Sequence, residues 1–332
     1  MKVMHRFVMK GDILAFTIFT HCDFDGAATA ALVSFCLQTD KYQFATPANI
    51  YKQAVSVHDI VCDLPYISGC NLWFDHHGSN IQEIKDRGLN PKNLDGANRV
   101  APSAAQVAYE YFTADRELPE YFQALVTAAN IVDTMDYDSI ASWLSPTPAN
   151  ILNDTININS ESYPAMCNHL NWLTRQLRDN HLDDVAASER VQNRWQQKLV
   201  TREKDIEFIK KLHTFLPEDV EKQIVLIDCS NLSFAPKFNK TLALVVKPDA
   251  QYILLIANEV SYGRKTNNLK ISLAKNFLTP SDKQLGVFLE ELSIGGGHDN
   301  AAGGIIRAGS KNERMRKLKD FQLDLLDYIN SE

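Results

Sequence analysis

His21, Asp23 and Asp25 stand at alternate positions within FTHCDFDG. In extended backbone, residues i, i+2 and i+4 project to one side, so one imidazole and two carboxylates would converge. Neighbouring carboxylates repel each other unless a cation or a proton lies between them. A bound divalent metal is the economical occupant; a polar strand-end loop is the plain alternative. Gly26 follows at once and would let the chain turn into the apolar stretch beyond it. Two further clusters share this composition. VCDLP ends a short apolar run at Asp63, and FDHHGSN ends another at Asp75, His76 and His77. Asp133, in NIVDTMD, is a fourth candidate, while nearby Asp136 and Asp138 read as solvated charges at a helix end. A His/Asp donor set without cysteine suits Mn²⁺, Fe²⁺ or Zn²⁺ rather than a thiolate site. So many ligands exceed the need of one ion and point to a two-metal hydrolytic centre. Cys22 and Cys62 flank the clusters and should point to the opposite, buried face.

A second constellation lies near the other end. Five of the fourteen glycines fall between Gly295 and Gly304, in GGGHDNAAGG. Glycine allows close backbone approach, and successive N–H groups can form an anion-binding concavity. Gly295, Gly296, Gly297 and His298 are therefore candidate phosphate or nucleotide contacts, against the plain reading of a tight helix–strand connection. The glycine spacing is not that of a dinucleotide-binding fingerprint.

The elements that must hold these groups can be read from the pattern. Ile13–Thr20, Val57–Cys62 and Asn71–Phe74 read as strands; Gly26–Leu37, Pro102–Phe112 and Tyr121–Ile131 read as helices, the first nearly all apolar and hence buried. Strands alternating with helices predict βαβ units and a parallel sheet, and ligands in such sheets bind beyond the carboxyl ends of strands. From Asp183 to Leu212 there are 30 residues without glycine or proline, with apolar residues at helical spacing. This predicts one long connecting helix, capped by Asp183 or Asp184, with Trp195 as a packing residue. Beyond it, Ile224–Cys229, Thr241–Val246, Tyr252–Ile256, Leu269–Leu273 and Ile305–Arg307 read as strands, and Asp282–Leu292 and Glu313–Ile329 as helices. The expected class is α/β with two domains: an N-terminal parallel-sheet domain over 1–182, a helix and linker over 183–223, and a smaller α/β domain over 224–332.

Composition narrows the function. The 332 residues carry 34 Lys and Arg against 41 Asp and Glu, a net charge of −7, which argues against coating long nucleic acid through bulk positive charge. The excess is confined to residues 1–223, because residues 224–332 hold 14 basic and 12 acidic side chains. An apolar fraction of 45% and a charged fraction of 23% exclude global disorder. The six cysteines form no C-x-x-C pair, which fits a reduced cytoplasmic compartment. The apolar run Ile13–Phe19 is too short for a membrane span and leads straight into His and Asp, unlike a signal peptide.

THCDFDG, VCDLP, FDHHGSN and NIVDTMD, in this order, resemble the four motifs of the DHH phosphoesterase family. GGGHDNAAGG resembles the glycine-rich stretch of the C-terminal domain found in the branch with RecJ-type exonucleases, oligoribonucleases and cyclic-dinucleotide phosphodiesterases. The resemblance implies that His21, Asp23 and Asp63 hold one divalent cation, that Asp25, Asp63, His76 and Asp133 hold a second, and that Asp63 bridges them. Mn²⁺ is the ion it suggests. His77 would face the scissile phosphate, and Asp75 would orient a neighbouring histidine. Two cations would neutralise the phosphate and acidify a shared water for in-line attack. Relatives carry a Ser-x-Arg-like grip on the strand before the glycine stretch. Here Ser272 fits but Ala274 stands at the arginine position, with Lys275, Lys270 or Arg264 as substitutes. Arg99 is a further candidate phosphate contact.

The leading expectation is an exonuclease for short single-stranded oligonucleotides. Linear or cyclic dinucleotides and polyphosphate are alternative substrates. A non-enzymatic phosphate-ligand binding protein is the contrasting class, disfavoured because every acidic motif position is retained. No membrane partner is expected, and the oligomeric state stays open, a homodimer included.

Overall fold

A computed structural model describes residues 16–331 except 159, 160, 235, 262 and 298. His298 and the start of the apolar run at Ile13 lie outside the described residues. In chain order the first elements are β1 (Thr17–His21), α1 (Phe24–Leu37), β2 (Lys41–Ala45), β3 (Asp59–Cys62), β4 (Leu72–Asp75), α2 (Gly78–Asp86), β5 (Gly96–Asn98), α3 (Ala104–Thr113) and α4 (Tyr121–Thr134). Then come α5 (Ile140–Leu144), α6 (Pro148–Ile156), α7 (Tyr163–Asp179), α8 (Leu182–Ala187) and α9 (Glu189–Leu212). The remainder is β6 (His213–Phe215), β7 (Ile224–Asp228), α10 (Ala243–Val246), β8 (Tyr252–Ser261), β9 (Arg264–Lys275), α11 (Leu285–Glu291), β10 (Gly295–Gly297), β11 (Ala301–Ile306) and α12 (Lys311–Asn330).

Contacts divide the chain into two compact units, one of residues up to Asp136 with Pro146–Trp195, the other of Tyr137–Ser145 with residues from Gln196 onward. The class is α/β, as the alternation of strand and helix predicts. Along 183–223, Val191 and Trp195 pack with the first unit's core, whereas Ile206, Ile209 and Leu212 pack with the second's.

The first unit holds a five-stranded parallel sheet of order β2-β1-β3-β4-β5. Its three central strands, β1, β3 and β4, are buried on both faces. Ile18, Ile60, Leu72 and Phe74 enter one core with α1, α3, α4 and α7, while Phe19, Val61 and Trp73 enter another with Ile84 of α2. Both faces being covered explains why these strands read as continuous apolar runs rather than alternating ones. α1 is buried along most of its length, as its all-apolar composition requires. The strand order reverses direction between β1 and β3, the switch point at which parallel sheets open a crevice at their carboxyl ends.

The second unit holds a six-stranded sheet of order β10-β11-β9-β8-β7-β6, antiparallel except for the β7–β8 pair. α11 and α12 cover one face through Leu285, Phe288, Leu318, Phe321 and Leu325.

Three local expectations need correction. The helix read over 183–212 is broken at Ser188, whose backbone is extended (φ −61°, ψ 143°) and whose hydroxyl bonds the Val185 carbonyl at 2.7 Å; such local hydroxyl–backbone bonds compete with helix. Asp183 and Asp184 lie in the first turn of α8, and His181 occupies the cap position. Thr241–Val246 is a 3₁₀ turn running into α10, not a strand, because the Asn239 side chain accepts from the Thr241 N–H and starts a helical turn; an apolar run without alternation does not distinguish the two. The glycine stretch is a β-hairpin rather than a loop: Gly295, Gly296 and Gly297 pair with Gly304, Gly303 and Ala302 at the sheet edge.

Candidate metal centre

The carboxyl ends of β1, β3 and β4 deliver the acidic and histidine groups together. His21 ends β1, Asp63 follows β3, and Asp75 ends β4 just before His76 and His77. Asp23 caps α1, its Oδ1 accepting from the Gly26 N–H at 2.9 Å, while its Oδ2 meets His21 Nδ1 at 2.5 Å. His21 Nδ1 also lies 3.5 Å from Asp63 Oδ2. On the other side of Asp63, His76 Nε2 lies 3.5 Å from Asp63 Oδ1, 3.5 Å from Asp133 Oδ2 and 3.7 Å from Asp25 Oδ2. Asp63 therefore stands between a His21/Asp23 group and an Asp25/His76/Asp133 group, each compact enough to surround one cation.

Gly26 belongs to the helix, and its lack of a side chain serves close approach rather than a sharp turn. A Cβ there would lie 2.4 Å from the His21 carbonyl oxygen. Asp63 is the strained residue, with φ at +54°, a left-handed conformation that Asp adopts at some cost.

The donor chemistry fits a divalent cation. Asp63 Oδ1 and His76 Nε2 are buried and have no hydrogen-bond partner among the described residues, and buried polar atoms without partners are rare unless something else satisfies them. The His76 ring is held by its other nitrogen, Nδ1, which lies 3.0 Å from the Ala101 carbonyl. That bond fixes the tautomer whose Nε2 lone pair can ligate.

His77 is held differently. Its Nδ1 lies 2.8 Å from Asp75 Oδ1, and Asp75 Oδ2 accepts from Asn80 Nδ2 at 3.0 Å. The histidine that Asp75 orients is thus His77.

Electrostatics in the metal-free cluster are those of an excess of negative charge. Burial opposes charge on His21, but Asp23 and Asp63 outweigh it and raise its pKa to about 11. Burial likewise opposes charge on His76, and Asp63, Asp25 and Asp133 raise it to about 10. Burial and the Asp63 charge push Asp133 up to about 7, and burial with Asp63 and Asp133 pushes Asp25 well up. Burial also works on Asp63, but the His21 and His76 imidazoles hold it below the usual carboxylate range. Ligands must shed these protons to bind a cation. Mn²⁺ affinity of the metal-free protein is therefore expected to rise between pH 6 and 9 with net proton release, as calorimetry in buffers of different ionisation enthalpy would measure. Affinity flat across that range would contradict the assignment.

The remaining candidates are dispersed. The Arg99 guanidinium pairs with the Glu110 carboxylate. Ser272 lies in β9 opposite Gly303 of β11, so the structure brings it beside the glycine hairpin. Ala274 is buried in that strand. Lys270 shares the face of Ser272 by strand alternation, whereas Lys275 Nζ donates to the Ser281 carbonyl at 2.9 Å. Arg264 begins β9, eight residues from Ser272, about 26 Å along an extended strand, and is not brought near it. The glycines have a packing reason as well: a Cβ on Gly286 of α11 would lie 2.2 Å from the Gly297 carbonyl oxygen. Cys22 and Cys62 are buried in the core, and Asp136 and Asp138 are exposed.

Sequence reasoning missed the support beneath Asp25. Its Oδ2 accepts from the Ala104 N–H at 2.7 Å and its Oδ1 from the Ala105 N–H at 2.9 Å, at the start of α3. Ser103 caps that helix, and Ser before a helical stretch was the available signal.

No family model matches the chain, and no curated protein matches it by sequence. Solved structures do. The pGpG-specific phosphodiesterase PggH from Vibrio cholerae superposes with a TM-score of 0.67 at 20% identity, over 93% of this chain and 99% of that one. A DHH domain from a ribosomal-protein family gives 0.56 at 15% identity, over 95% and 88%. An exopolyphosphatase-related protein from Bacteroides fragilis gives 0.51 at 11% identity, over 95% and 92%. At these identities the likeness establishes a shared fold.

Proposed function

We propose, on the premise that the chain has the DHH-domain fold, that it is a metal-dependent phosphodiesterase hydrolysing short linear oligonucleotides, with linear dinucleotides its best substrates. The observation that carries the metal chemistry is the pair of buried, unpartnered ligand atoms, Asp63 Oδ1 and His76 Nε2, facing each other at 3.5 Å among three further carboxylates. A dinucleotide is favoured over longer chains because the PggH fold match covers nearly both full lengths and that protein is described as pGpG-specific.

His21, Asp23 and Asp63 would hold one divalent cation, and Asp25, His76 and Asp133, with Asp63 shared, the second. Bound divalent cations supply Lewis acidity, offsetting phosphate charge and making water a better nucleophile. Burial opposes charge on His77, but Asp75 and Asp63 raise its pKa and so favour the protonated form. In that form it donates to a phosphate oxygen or to the leaving group. Asp75 fixes the ring for this task. Within the first unit, Arg99 is a candidate contact for a phosphate oxygen; within the second, the glycine hairpin with Ser272 and Lys270 is a candidate phosphate-binding element. Among the described residues no helix is long and apolar enough to cross a membrane.

One panel tests the reading. The protein with Mn²⁺ is given linear dinucleotides, three- to ten-residue RNA and DNA, cyclic dinucleotides and polyphosphate, and products are resolved by chromatography. Linear dinucleotides should be cleaved to mononucleotides fastest, with rates falling as length grows. Cleavage of polyphosphate alone would overturn the proposal in favour of the second reading, which the exopolyphosphatase-related fold match motivates.

A further inference from the structure

We propose that Asn130 is a positioning residue for the cation site formed by Asp25, His76 and Asp133, an inference that rests on the metal reading above. Asp25 and Asp133 come from different helices, α1 and α4, and their separation must be set by packing. The Asp25 carboxylate is held by the first turn of α3, where the Ala104 and Ala105 N–H groups donate to both of its oxygens. Thr29 of α1 adds a third bond to Oδ1, at 3.2 Å.

That first turn is held in its turn by Asn130. The Ser103 hydroxyl donates to Asn130 Oδ1 at 2.6 Å, and Asn130 Nδ2 donates to Gln106 Oε1 at 3.0 Å. Ser103 is fully buried, and its oxygen also accepts from the Gln106 N–H at 3.0 Å. Asn130 lies three residues before Asp133 on α4, so the two side chains share a helix face. One amide, using its acceptor and its donor at once, therefore ties the helix that carries Asp133 to the turn that holds the Asp25 carboxylate. The His21/Asp23 pair is local instead: His21 is the last residue of β1, Asp23 is the N-cap of α1, and their side chains meet directly.

The inference separates two cation sites that share Asp63. Loss of Asn130 should loosen the Asp25/His76/Asp133 site and spare the His21/Asp23/Asp63 site. A merely structural tie between α3 and α4 would lower thermal stability without discriminating between the sites.

The test is titration of metal-free full-length protein with Mn²⁺, reading free Mn²⁺ by electron paramagnetic resonance, with melting temperature measured alongside. The wild type should take up two equivalents. In Asn130→Ala and Ser103→Ala one equivalent should bind as before and the other about 10- to 100-fold more weakly, the range for losing a group that orients a ligand. Ser103→Thr keeps the hydroxyl and should restore two equivalents. Should Asn130→Ala not fold, the Ser103→Ala and Ser103→Thr pair makes the same comparison. Equal weakening of both equivalents, or two equivalents at wild-type affinity, would overturn the role of Asn130 and leave the metal reading standing. A wild type that takes up no Mn²⁺ overturns the metal reading itself.

Discussion

Asp63→Asn is expected to lower metal-dependent turnover by roughly three orders of magnitude while leaving the protein folded. Asp63 stands between both ligand groups, 3.5 Å from His21 Nδ1 through one oxygen and 3.5 Å from His76 Nε2 through the other. Exchanging one carboxylate oxygen for an NH₂ group removes a ligand and turns a donor toward the cation. Charge stabilisation by bound metal is worth several kcal/mol, and each ~1.4 kcal/mol is tenfold in rate. The fold should survive because the substitution preserves volume and because Asn tolerates the left-handed backbone at φ +54°. Circular dichroism should stay native while Mn²⁺ uptake and product formation collapse. Near-normal turnover would overturn the proposed bridging role of Asp63.

Gly26→Ala is the second large effect, and it runs against helix propensity. Position 26 lies in the first turns of α1, where alanine would ordinarily stabilise a helix by about 1 kcal/mol over glycine. Here the added Cβ would fall 2.4 Å from the His21 carbonyl oxygen and 2.9 Å from two other His21 backbone atoms. Backbone cannot swing aside as a flexible side chain can, and forced overpacking costs about 1–3 kcal/mol. The shift would fall on His21 and on the Asp23 cap, which bonds the Gly26 N–H. Gly26→Ala should therefore melt at lower temperature and bind Mn²⁺ more weakly. A protein at least as stable as the wild type with unchanged Mn²⁺ affinity would refute this account of the glycine.

Much of the site was legible because its chemistry is local in sequence. His21, Asp23 and Asp25 belong to one strand–helix junction, and Asp75, His76 and His77 to one strand end. Parallel strands then bring such ends together by topology, which is why apolar runs ending in Asp and His predicted a shared edge. The alternation rule was less faithful. Asp23 and His21 do meet, but Asp25 is already inside α1 and is turned to the start of α3, so helix geometry rather than strand alternation sets its direction. Elements of both units were harder to read: β2, β5, α2, α6 and α7 of the first and α5 and β6 of the second carry mixed polar and apolar residues whose partners are distant in sequence, and short-range periodicity does not announce them.

The sequence by itself determined the chemical inventory: which carboxylates and imidazoles exist, and that His21, Asp63, Asp75, His76 and His77 stand at the ends of apolar strands. Those properties depend on residue type and on spacing within a few positions. Tertiary structure decided three matters that depend on groups far apart in the chain. It assigned Asp75 to His77 and left His76 to face Asp25, Asp63 and Asp133. It gave Gly26 and Gly286 a packing reason that composition does not reveal. It placed the Asn130 amide between Ser103 and Gln106, tying α4, which carries Asp133, to the start of α3, whose N–H groups hold Asp25. The physical reason is common to all three: hydrogen bonds and close contacts between distant segments are fixed only when packing sets the distances between their backbones.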